Sequence, residues 1–334
     1  MGNLGVKFGI SPVVVEYEPI GILQRVPLYE GAGFDALWEG DHILPWHHTG
    51  GHCTSAAVMA TGYLERSKKV EVIYGVVAPL GLRIHPIDLA MQTATMACIH
   101  PGRAALCVGA GEAMNDKSVT GLWPPNGERV ARVEEAIKLI KQYWESNDYF
   151  TFKGKYFQTQ ALYLYDKPAK VPPIYCAAGG PIMARIAGKY CDGMLALGPP
   201  NYFKDVLFPA FDAGAREAKK DPNLLVKAAF VDTSYHPDIK KAMASARMYG
   251  GVLIPECYHL IQDPRTIEQR SQLVRDEVLD AVFNIGSKAE TLIEKFDAYR
   301  KVGVNHLVWA EISPDPNLTI KICKDEVIPY FRKT

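Results

Sequence analysis

Neither sign of charge dominates this chain: 37 Lys and Arg stand against 37 Asp and Glu. Polyanion binders advertise a basic excess, so no nucleic-acid partner is expected. The seven cysteines (Cys53, Cys98, Cys107, Cys176, Cys191, Cys257 and Cys323) contain no C-x-x-C pair. That removes the usual zinc and redox spacings and reads as reduced thiols, not a disulfide framework. No apolar run approaches the roughly 18 residues needed to cross a bilayer. The stretch Met1-Gly2-Asn3-Leu4-Gly5-Val6-Lys7 lacks the long apolar region of a signal peptide, and Val6 stands where myristoylation wants Ser or Thr. No Gly/Ser or Pro-rich linker divides the 334 residues. The expectation is a cytoplasmic enzyme forming one domain over residues 1–334, with a small-molecule substrate and no membrane partner.

What is present is alternation. Short β-rich runs at 6–10, 36–38, 70–77, 104–109, 173–178, 193–197, 226–233 and 305–310 are mostly continuously apolar, as strands covered on both faces are. Helical patterns separate them. In 129–144, Val130, Val133, Ile137, Ile140 and Tyr143 recur on one helix face. A second helix is expected to begin at Cys53 or Thr54 and run to Ser67, and a last one to follow Asp315 and end near Phe331. Eight strands each followed by a helix is the count of a (β/α)8 TIM barrel; a doubly wound open sheet is the alternative, since periodicity does not reveal closure. Residues 149–170, with Phe150, Phe152, Tyr156, Phe157, Tyr163 and Tyr165, read as an inserted β-hairpin. Residues 236–286 read as a mostly helical insertion.

Barrel chemistry gathers at the C-terminal ends of the strands. Three of these ends carry candidate groups: Glu39-Gly40-Asp41-His42-Ile43-Leu44-Pro45-Trp46-His47-His48, then Gly109-Ala110-Gly111-Glu112-Ala113-Met114-Asn115, then Ala177-Ala178-Gly179-Gly180-Pro181. Gly109-x-Gly111 is not a dinucleotide fingerprint, because Met114 holds the third glycine position. Gly179-Gly180-Pro181 opens a helix either as a phosphate cradle or simply as a turn with Pro at the first helical position. His42, His47, His48 and His52 lack H-E-x-x-H or carboxylate–His spacing, so no metal is expected. His42 beside Asp41 suits proton transfer near neutral pH; packing at the rim is the plainer alternative.

These motifs, together with Thr120-Gly121-x-Trp123-Pro124, Phe152-x-Gly154-x-Tyr156-Phe157 and Gly303-x-Asn305-His306, resemble the F420-dependent branch of the luciferase-like barrel family. Its secondary alcohol and glucose-6-phosphate dehydrogenases are nearest in pattern. The resemblance implies a luciferase-like barrel, a homodimer, and the deazaflavin coenzyme F420 held by Asp41, Val76, Val77, Pro79, Ala110, Asn115, Ala178, Gly179, Gly180 and Pro181. It also implies a non-proline cis peptide in the third strand, at Val76–Val77. Alcohol oxidation removes a proton from oxygen and a hydride from carbon. His42 is then the base, Trp46 positions the oxygen through its indole N–H, and Glu112 orients the substrate or handles a ring proton. Two departures stand out. Val15-Glu16 replaces the family's Glu-Gln pair after the first strand. Pro199 or Pro200, Tyr258 and Ala281 replace the two Lys and one Arg that surround a sugar phosphate, which points to a neutral alcohol or carbonyl. Sugar-phosphate oxidation, methylene-tetrahydropterin reduction and an FMN-dependent monooxygenase are the alternatives.

Overall fold

Among the described residues the chain closes on itself through one nine-stranded, all-parallel sheet. The computed structural model describes residues 5–12 and 17–333. Strands β1 (Lys7–Pro12), β2 (Ala36–Glu39), β3 (Glu71–Val77), β4 (Ala104–Val108), β5 (Ile174–Ala177), β6 (Gly193–Ala196) and β7 (Val226–Tyr235) pair in chain order. β9 (His306–Glu311) then bridges β7 to β1, which shuts the barrel. β8 (Asn284–Gly286) is a short addition on the far end of β7 and not a barrel stave. This is the expected (β/α)8 barrel, and its closure settles the choice against an open sheet.

Each strand alternates between two cores. Ala36, Trp38, Ile73, Ala105, Cys107, Tyr175, Leu195, Ala228 and Val308 point inward and fill the barrel. Their sequence neighbours Leu37, Val72, Leu106, Cys176, Met194, Ala229 and Leu307 point outward under the helices. Both faces being buried explains why the strands read as unbroken apolar runs. Among the described residues, no helix is long and apolar enough to cross a membrane.

The helices sit close to their expected places. The segment read as 129–144 is the helix Asn126–Glu145. The one read from residue 53 or 54 is Ala56–Arg66, starting after Ser55. Asp315 caps the last helical stretch by accepting from the Asn317 N–H, and the helix continues through one π-turn to Lys333. Residues 149–170 depart from a regular hairpin. They hold only two antiparallel bridges, Phe150 with Leu162 and Lys153 with Gln158. At the tip, the N–H groups of Lys155, Tyr156 and Phe157 go to the Glu135 carboxylate instead of to a partner strand. The helical insertion is present, and it builds a separate apolar cluster over the barrel mouth. Tyr249, Cys257, Ile267, Leu279 and Phe283 from the insertion meet Trp46, Met114 and Ile312 from barrel loops there.

The third strand corrects one expectation. The cis peptide is Gly75–Val76, one residue before the expected Val76–Val77. Gly75 has φ +140°, and a Cβ there would collide with the Cys107 carbonyl, so the irregularity sits where a side chain is impossible. The pairing with β4 shifts register between Tyr74 and Val77.

Candidate active site

Continuing each strand's inward alternation by one step gives the layer that floors the mouth: Ser11, Gly40, Val76, Gly109, Ala177, Leu197, Asp232 and Ala310. Most of these are small. A Cβ on Gly109 would come within 2.6 Å of Val76 and 3.4 Å of Ala177, so this side of the floor is tight and low.

On the rim over Gly40 stands a polar cluster. Asn115, only 4% exposed, is fixed by the backbone N–H groups of Ile43 (2.8 Å) and Leu44 (3.3 Å), which donate to its Oδ1. Those two bonds settle the amide's orientation, so its Nδ2 faces Glu112 Oε2 at 2.9 Å and His42 Nδ1 at 3.3 Å. His42 Nδ1 also lies 3.3 Å from the Leu44 carbonyl and 3.8 Å from Glu112 Oε2. With a proton on Nδ1 directed at Leu44, Nε2 is a free base. With Nδ1 accepting from Asn115, Nε2 carries the proton and is an acid. Burial pushes the Glu112 carboxyl up, while His42 and the Asn115 amide hold it down.

Trp46 is buried against Tyr258, ring centroids 4.7 Å apart and edge to face, so the helical insertion walls the same mouth. Asp41 is engaged elsewhere. It pairs with Arg83 and accepts from the Ala56 N–H, beside a cavity of about 500 Å³ that also touches His42, Cys53, Thr54, Tyr74 and Gln92. Val76 faces the mouth. Val77 and Ala178 pack outward in the main core, and Pro79 is buried just beyond β3. Gly109 donates to the Val77 carbonyl at 2.9 Å, and Asp41 to that of Val76 at 3.2 Å.

Ala110 is partly open, its carbonyl accepting from Arg129 at 3.1 Å. Gly180 precedes the helix Pro181–Tyr190, and no side chain caps that helix start. A Cβ on Gly179 or Gly180 would meet nothing within 4 Å. Packing within the chain therefore does not require glycine at either position, whereas close approach of a ligand to open N–H groups does. Of the four histidines weighed against a metal, His47 points its Nδ1 at the Thr49 carbonyl and lies against Tyr249. No group of three or more His, Cys, Asp or Glu among the described residues is placed to hold a metal ion. Glu16 lies outside the described residues.

Three groups escaped the sequence reading. Arg83, the partner of Asp41, stands out only as a lone cation in an apolar loop. Asp116 lies beneath Gly111 with both carboxylate oxygens unpartnered, and burial raises it to about 6. Asp232 is the one charged side chain of the floor, pushed up by burial to about 7.

The family model for luciferase-like monooxygenase matches residues 15–306. The F420-dependent glucose-6-phosphate dehydrogenase of Gordonia bronchialis is 31% identical over 332 residues, 98% of each chain. A solved F420-dependent secondary alcohol dehydrogenase, in complex with an F420-acetone adduct, superimposes with a TM-score of 0.95 at 34% identity, covering 98% of this chain and 99% of the other. The coenzyme F420 dependent tetrahydromethanopterin reductase from Methanopyrus kandleri shares the fold, with a TM-score of 0.81 at 24% identity and 98% and 99% coverage.

Proposed function

The chain belongs to the F420-dependent branch of the luciferase-like monooxygenase family, and from that premise we propose that it interconverts a small neutral secondary alcohol and its carbonyl with coenzyme F420. When bound, F420 supplies a ring carbon that takes or returns a hydride. The residues present suit that group. The low floor around Gly109 and Ala177 accepts a planar ring, and the uncapped helix start at Gly179-Gly180-Pro181 offers N–H groups to a phosphate tail. Val76, Ala110 and Asn115 border the ring's place. Asp41 and Pro79 hold the adjoining loops, while Val77 and Ala178, packed in the outer core, hold the ends of β3 and β5 beside it.

The observation that carries the reading is the His42–Asn115–Glu112 cluster over that floor. In the oxidation direction, His42 Nε2 takes the hydroxyl proton while Nδ1–H leans on the Leu44 carbonyl. In the reduction direction, Nε2–H gives it back while Nδ1 accepts from Asn115. Trp46 holds the oxygen, and Glu112 orients the substrate. The second support is what surrounds the pocket. Tyr258 lies edge to face against Trp46 where a phosphate-binding cation would be needed, Arg265 is exposed and paired with Asp263, and Lys204 and Lys288 are exposed. A dianionic sugar phosphate would enter without charge-assisted donors.

Residues 1–334 are taken as one domain, because the insertion's apolar cluster includes barrel residues. A homodimer fits the apolar side chains Val58, Met91 and Ile99 left exposed on the helices after β2 and β3; light scattering at micromolar concentration measures it. The cofactor reading is tested by titrating the protein with F420 and with FMN. Tighter F420 binding, and F420 reduction only when an alcohol is added, is expected; tighter FMN binding with oxygen consumption contradicts it.

A further inference from the structure

The floor of the mouth carries one feature that alcohol oxidation as described does not use. On β7, Val226, Ala228 and Phe230 belong to the barrel interior, while Ala229 and Val231 face the helices. The next inward position is Asp232, in register with Ala310 of β9, which in turn pairs with Ser11 of β1. Asp232 therefore sits on the inward face at the mouth, level with Ala310 and Ser11, and is the one charged member of that layer. It makes no ion pair with any Lys, Arg or His among the described residues. Nor does any other side chain among them donate to it.

Its position relative to the polar cluster is informative. The buried Tyr258 hydroxyl lies in the electrostatic field of both Glu112 and Asp232. Both acids are therefore within electrostatic reach of that hydroxyl, and Trp46 lies against the same ring. β7 and β2 are three steps apart around the closed barrel. A molecule whose hydroxyl rests on His42 would meet Asp232 with a different group. Among the described residues, the one donor that the Asp232 carboxyl meets is its own backbone N–H; a carboxyl so thinly partnered is unfavourable unless something supplies a further donor, and burial shifts this one upward to about 7.

We propose that Asp232 selects the substrate: it receives a second hydrogen-bond donor, an O–H or N–H carried next to the reacting carbinol, and it repels anions. The inference rests on the alcohol reading of this mouth and narrows it to diols or amino alcohols. Both offer the same donor chemistry and differ in charge.

The experiment compares kcat/KM, with F420 as acceptor, for 2-butanol, 1,2-propanediol and 1-amino-2-propanol in three proteins: wild type, Asp232→Asn and Asp232→Leu. F420 affinity is measured in each. Wild type is expected to favour at least one donor-bearing alcohol over 2-butanol by about tenfold or more, the worth of a hydrogen bond to a charged group. Asp232→Leu abolishes that preference. Asp232→Asn separates the sources, keeping most of it for the diol and losing it for the amine. F420 affinity stays within about twofold throughout. Normal turnover of 2-butanol with no preference in wild type overturns the role of Asp232 and leaves the alcohol reading standing. A preference that survives in Asp232→Leu also overturns it. So does a tenfold loss of F420 affinity, which would make Asp232 a cofactor contact. Failure of all three alcohols, with glucose 6-phosphate oxidised instead, overturns both readings.

Discussion

At the scale of the residue, the proposed chemistry divides labour among neighbours a few ångströms apart. His42 moves the proton, so His42→Ala should lower kcat by about a hundredfold or more, the usual worth of general acid–base help. F420 affinity should remain within about threefold, because the ring is held by other groups. Stopped-flow reduction of F420 beside a fluorescence titration reads both; wild-type turnover in His42→Ala contradicts the assignment. Glu112→Gln keeps the shape and the bond from Asn115 but removes the charge, and should depress kcat more than substrate affinity. That His42, Trp46 and Glu112 lie at the mouth was legible because each follows a strand within a recognisable motif; their roles are proposals. Asp232 was not legible. Inside the run Phe230-Val231-Asp232-Thr233, both strand faces are covered, and no polar alternation marks which one looks into the barrel. Asp116 was hidden for a different reason: a carboxylate in the first turn of a helix ordinarily serves the helix itself.

At the scale of the element, glycines separate what the fold needs from what a ligand needs. Gly75 sits at φ +140° against the Cys107 carbonyl. Gly75→Ala should therefore cost on the order of 1–3 kcal/mol and lower the melting temperature by several degrees. Gly179→Ala meets no protein atom within 4 Å. It should leave the melting temperature unchanged yet weaken F420 binding about tenfold, if the helix start at Pro181 receives the phosphate. Differential scanning calorimetry and a binding titration on the two variants read this contrast. Equal thermal loss in both would mean that Gly179 is there for folding alone. Strand and helix positions were readable from apolar runs and helical spacing. The three-residue β8 was too short for any period to declare, and the hairpin after the helix Asn126–Glu145 gave up regular pairing because the distant Glu135 carboxylate took its turn N–H groups, which local sequence does not show.

At the scale of the whole molecule, buried ionisable groups set how stability follows pH. Burial raises Glu39 to about 8 and Glu311 to about 7, despite hydrogen bonds from Tyr63 and Thr54 to the first and from Ser313 and Thr319 to the second. It lowers His306 to about 3. Groups raised in the folded state contribute stability that is lost as pH climbs through their folded values. The depressed His306 contributes stability lost only below its unfolded value near 6.5. From pH 6.5 to about pH 8, then, the raised carboxyls carry the slope, and nearer pH 9 the buried thiols of Cys53 and Cys191, pushed up by burial, add to it in the same direction. The melting temperature should fall from pH 6.5 to pH 9, with one cooperative transition if residues 1–334 fold as a unit, and Glu39→Gln should flatten the slope. Barrel closure was the large-scale fact the sequence left open, since β7 must pair with both β6 and β9, and no local pattern encodes a partner so far along the chain. Whether the mouth oxidises a neutral alcohol with F420, as proposed, is decided by a comparison of kcat/KM. Measured at one pH and ionic strength with F420 as acceptor, a small secondary alcohol should be oxidised and glucose 6-phosphate should give a negligible value; a higher kcat/KM for glucose 6-phosphate would contradict the account.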